Sequence, residues 1–129
     1  MNKKFKPPEE WFKQADYDLE TAEAMFKSGR YIYTVFMCHL TIEKALKGLC
    51  TKHLQKRPPK THNLLYLIEK AKVDILEELY DFIFSLNRVS IPTRYPDDLE
   101  RIMKDYDKKT TENILKKSQE VLTWLKARL

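Results

Sequence analysis

Along Arg30–His53 the apolar positions recur at alternating steps of three and four. Ile32, Val35, Ile42, Leu46 and Leu49, with His39 among them, fall on one stripe, the signature of a helix buried along one side. Tyr31–Leu40 is apolar nearly all round. A helix of that kind needs neighbours on several sides, so the stretch reads as the central helix of a bundle. Its second half keeps the stripe but carries Glu43, Lys44, Lys47 and Lys52 elsewhere, which predicts a basic surface at that end.

The same periodicity places helices on either side. Pro7-Pro8-Glu9-Glu10 opens a first helix, proline suiting the first turn and the acids its positive end. Phe12, Ala15, Leu19, Ala22 and Phe26 make its stripe, Trp11 and Met25 flank it, and Ser28-Gly29 ends it. The short turn that follows predicts an antiparallel return. Gln55–Lys60, with two prolines, stops the central helix. Thr61 is the predicted N-cap of a short third helix carrying Leu64, Leu65, Leu67, Ile68 and Ala71. Asp74 is the predicted cap of a fourth, carrying Ile75, Leu79, Phe82, Ile83 and Leu86. Pro92 and Pro96 mark Ser90–Asp98 as a loop. A last helix carries Ile114, Val121, Leu122, Leu125 and Leu129 with Trp124 beside them, and Leu99–Tyr106 fits either a separate turn or its N-terminal extension. No stretch alternates cleanly with period two. The expected fold is all-α, an up-and-down bundle of four to five helices, forming a single domain over residues 1–129.

Composition narrows the chemistry. With 2 isolated glycines the chain has no Gly-rich loop to cradle phosphates, which excludes Walker-type and Rossmann nucleotide binding. Cys38 and Cys50, twelve residues apart, would stand about 18 Å apart on one helix, too far for a disulfide, and read as buried or half-buried thiols in a reducing compartment. His53 follows Cys50 in a metal-like spacing, but a structural zinc wants four ligands, so no metal is expected. No cofactor is expected either. The N-terminus lacks the apolar run of a signal peptide, and no apolar stretch is long enough to span a bilayer. The expected location is the cytoplasm.

The net charge is +5, and its distribution matters more than its size. Lys44, Lys47, Lys52, Lys56, Arg57 and Lys60 occur with no acid between them. Such a run suits a solvated helix face or a phosphate-facing patch. The other unusual stretch, Leu86–Asp98, sets Arg88, Arg94, Tyr95, Asp97 and Asp98 around two prolines after an apolar helix. Arginine offers a planar fork for phosphate, and tyrosine a ring on which a base can stack.

Glu43-Lys44-Ala45-Leu46-Lys47, Thr61-His62-Asn63-Leu64 and Thr93-Arg94-Tyr95-Pro96-Asp97, with Ala15-Asp16-Tyr17-Asp18-Leu19 ahead of them, together resemble the HEPN family, small helical nucleotide-binding domains. The resemblance implies a helical bundle that dimerises and a nucleotide or RNA ligand. It also implies a separate nucleotidyltransferase chain as partner, in a toxin–antitoxin-like pair. Members that cleave RNA share an Arg-x4–6-His motif. Here Arg88 matches the arginine, and Thr93 stands where the histidine should be. Threonine cannot exchange a proton near neutral pH as imidazole does, and losing a general acid–base typically costs about 10²–10⁴-fold in rate. The sequence therefore points to a binding protein with no confident catalytic residue. It would hold nucleotide or RNA through Arg88, Arg94, Tyr95, Lys44, Lys47, Lys52 and Lys56, as a homodimer and as the partner or substrate-presenting subunit of a nucleotidyltransferase. Its rivals are a metal-independent ribonuclease toxin with a degenerate motif and an interaction module without a small ligand.

Overall fold

The computed structural model describes residues 5–89, 92–93 and 95–129. Among these the chain forms six helices: α1 (Pro8–Lys27), α2 (Tyr31–Leu54), α3 (Leu64–Ala71), α4 (Glu77–Asn87), α5 (Leu99–Asp105) and α6 (Lys108–Lys126). No strand occurs among the described residues. α2 is the hub, packing against α1, α3, α5 and α6, while α4 leans on α3. Ile32, Val35, His39, Ile42, Leu46 and Leu49 are all buried, so the stripe faces the core along its whole length. No helix among the described residues is long and apolar enough to cross a membrane.

The ends of the helices follow local chemistry, with several departures from expectation. Gly29, at φ 78°, turns the chain from α1 into α2 in a conformation that favours glycine. The cap of α3 is Asn63, not Thr61: the Asn63 side chain accepts from the backbone N–H groups of Leu65 and Tyr66 at 3.1 and 3.3 Å. Thr61 Oγ1 instead accepts from Asn63 N, bracing the cap from outside. Asp74 caps nothing; α4 starts after Leu76 with no side-chain cap, and Glu77 and Glu78 meet its positive end. The segment left open between α4 and the last helix is a separate helix, α5, capped by Asp98 through Arg101 N. α6 has its own cap in Asp107, which accepts from Thr110 N at 2.8 Å. Each acid satisfies a donor that a helix start leaves orphaned, so two caps divide what apolar periodicity alone could not. The predicted loop after α4 also holds a helical turn at Pro92–Thr93.

Cys38 and Cys50 are free and fully buried. Burial pushes the Cys38 thiol up to about 12 and the Cys50 thiol up to about 11, so neither is a nucleophile near neutral pH.

Candidate functional site

The largest departure from the sequence reading lies at Glu43. Its place off the apolar stripe suggested a charged surface, yet it is 3% exposed. Burying a carboxylate is costly unless it is paired, and here the partners come from three directions. Lys47, one turn on, donates to Oε2 at 3.0 Å. His39, one turn back, sets Nδ1 3.8 Å from Oε1. His62, from the start of α3, brings Nδ1 to 2.9 and 3.0 Å from the two carboxylate oxygens. The first two follow from i,i+4 spacing on one helix. The third is a tertiary contact: the chain leaves α2, passes the Pro58-Pro59 turn and folds back so that His62 reaches Glu43. His62 keeps 58% of its side chain in solvent. A buried carboxylate thus fixes one face of an imidazole that is otherwise open to water.

This polar group continues to the end of α4. Asn87 Oδ1 accepts from Leu64 N at 2.8 Å, and its Nδ2 donates to Asn63 Oδ1 at 3.3 Å. Asn63 and Asn87 therefore lock the start of α3 to the end of α4. His62 precedes one of them in the chain and exposed Arg88 follows the other. Arg88 is the last, half-in residue of its helix.

The other sequence candidates separate. Thr93, at the motif position of histidine, is 1% exposed and donates its hydroxyl to Val89 O at 2.7 Å; it closes its own helical turn. Tyr95 is 70% exposed and borders a shallow hollow with Arg101, Asp97 and Asp98 that Arg88 does not line. Arg94 lies outside the described residues. The lysines do not share one face. Lys44 pairs with Asp18 of α1 at 2.8 Å, and Lys47 turns inward to Glu43. Lys52 donates to the backbone carbonyls of Arg128 and Leu129, while Lys56 lies beyond the helix end, exposed. No group of three or more histidine, cysteine or acidic side chains among the described residues could hold a metal ion.

Sequence reasoning met His62 only within the Thr61-His62-Asn63-Leu64 stretch and missed its bond to Glu43. The available signal was an acid in a central helix, spaced four from His39 and from Lys47.

The HEPN domain model matches residues 8–128. Two solved structures share the fold. One is TT1696 from Thermus thermophilus, with a TM-score of 0.81 and 28% identity, the match covering 95% of this chain and 98% of that one. The other is ST0689, an archaeal HEPN homologue, with a TM-score of 0.76 and 25% identity, covering 96% and 98%. No curated protein matches the chain. With a family model that spans nearly every described residue, the chain belongs to the HEPN domain family.

Proposed function

We propose that the protein binds a nucleotide or RNA at the end of α4, with Arg88 as the phosphate contact and Tyr95 as the stacking surface. The observation that carries this reading is the junction of Glu43, His62, Asn63 and Asn87. One buried carboxylate and the side chains of Asn63 and Asn87 fix the backbone from which Arg88 projects into solvent. A cation held on a rigid base loses less freedom on binding than one on a loose segment. Arg94 and Lys56 join as further contacts, and Lys44 and Lys52 contribute to the field rather than as direct ligands. The protein acts as a homodimer and as the partner or substrate-presenting subunit of a nucleotidyltransferase in a toxin–antitoxin-like pair.

The test is RNA binding at low and moderate salt. Arg88→Ala weakens binding uniformly, and Tyr95→Ala removes a stacking contribution of about 1–3 kcal/mol per base. If neither substitution changes affinity, the site lies elsewhere.

His62 supports a second reading, the metal-independent ribonuclease. Its Nδ1 faces a buried carboxylate, the arrangement that leaves Nε2 oriented for proton transfer, and it precedes Asn63, which bonds Asn87, the residue before Arg88. RNA incubated without metal distinguishes the two: the binding protein leaves it intact, whereas cleavage lost in both Arg88→Ala and His62→Ala makes the protein an enzyme.

A further inference from the structure

The first turn of α1 lies directly on α2 at Gly48. A Cβ there would meet the Phe12 ring at 2.9 Å and Trp11 Cβ at 3.1 Å, so the approach depends on glycine. It brings the Trp11 indole beside α2, with Lys47 Nζ 5.8 Å from its ring centroid. From another side Lys6 sets its Nζ 4.0 Å from the same centroid. The turn after α2 closes the remaining wall: Pro58-Pro59, flanked by Arg57 and Lys60, completes a depression of about 280 Å³. Lys6, Lys47, Arg57 and Lys60 line it with no acid among its described lining residues, and Lys47 is at the same time paired with Glu43 behind it.

The other hollows differ. Those beside Lys52, α1 and Tyr95 include Asp74, Asp18 and Asp97 respectively, and the one beside Met103 holds a single cation, Arg30. The basic run from Lys44 to Lys60 is thus sorted by the fold. Lys44 and Lys52 are turned to Asp18 and to the Arg128 carbonyl, while Lys47, Arg57 and Lys60 line the same depression as Trp11.

We propose that the Trp11 depression is a phosphate site, taking a phosphate group of a nucleotide or of an RNA strand. Cations gathered around one small volume repel one another, and a compact multivalent anion relieves that repulsion more fully than a lone carboxylate. The arginine fork matches phosphate oxygens, and the indole supplies an apolar floor. Lys47 links this depression to the polar junction, since it also holds Glu43, which holds His62. The depression and Arg88 are then two ends of one track. That link rests on the nucleotide or RNA reading; the anion site itself does not.

The experiment reads Trp11 fluorescence in a Trp124→Phe background, which leaves a single tryptophan. The probes are inorganic tripolyphosphate, ATP, a 12-nucleotide oligoadenylate and hexaglutamate. Saturable changes with the three phosphate probes, weakened tenfold or more in a Lys6→Ala/Lys60→Ala variant, are expected. For the RNA, losing two cations should reduce the salt slope by about 1.4. No saturable change with tripolyphosphate overturns the proposal, and so does unaltered affinity in the double variant of unchanged circular dichroism. Equal binding of hexaglutamate overturns it in favour of an acidic peptide. Arg88→Ala separates the two sites. If it abolishes RNA binding while the double variant keeps both RNA and tripolyphosphate binding, the Trp11 site is wrong and the α4 site stands. If the double variant loses tripolyphosphate and RNA while Arg88→Ala keeps both, the reverse holds. ATP and RNA competing for Trp11 identify the source of the phosphate, since only a ligand seated there displaces the other.

Discussion

At the residue scale, burial and charge obey different rules on the same helix. Ile42 and Leu46 are fully buried within the main hydrophobic cluster. Ile42→Ala or Leu46→Ala is expected to cost about 2–5 kcal/mol, measured as the loss of unfolding free energy in urea. A loss below about 1 kcal/mol would mean a loosely packed hub. Glu43, one residue from Ile42, is nearly as buried as its apolar neighbours and is retained there by Lys47 and His62. The apolar positions were legible because each follows from spacing along one helix. Glu43 was not, because the partner that distinguishes its role, His62, is 19 residues away.

At the element scale, caps decide where helices begin. Asp107 shows this through pH. Its carboxyl accepts from the backbone N–H of Thr110, and that bond holds it below the usual carboxylate range. A carboxyl whose folded value lies below its unfolded value stabilises the fold above the unfolded value, and the contribution is lost as pH falls through the folded one. The difference in urea midpoint between the wild type and Asp107→Ala should therefore be full near neutral pH and shrink in acid. A difference independent of pH would mean that the cap acts through something other than the ionised carboxylate. Asp98 and Asp107 also explain why α5 and α6 are two helices, a division that apolar periodicity could not make.

At the scale of the whole molecule, apolar side chains remain on the outside. Tyr33, Leu99 and Met103 are 57%, 58% and 56% exposed and border one hollow of about 200 Å³ between the start of α2 and α5. Phe84 is 46% exposed as well, whereas Phe36 is half-buried. A cluster of this kind marks an interaction surface, and in the homodimer proposed above the same patch meets itself across a two-fold axis. Sedimentation at micromolar concentration should give twice the 15.5 kDa chain mass, and Tyr33→Glu with Met103→Glu should return it to one. A wild type that sediments as a monomer would refute the dimer.

Spacing along the chain by itself determined the helical class, the central place of α2 and the residues that face the core, because these depend on contacts within one helix and on which faces exclude water. The family resemblance was legible too, since its motifs are short and keep their order. Only the tertiary structure decided which charges work together. It buried Glu43 against His62, set Thr93 to closing its own turn, and drew Lys6, Lys47 and Lys60 around Trp11 while turning Lys44 and Lys52 away. The physical reason is that a buried charge or a site is defined by groups distant in sequence, brought together by how α1, α3 and α4 pack, and no local periodicity encodes their distances.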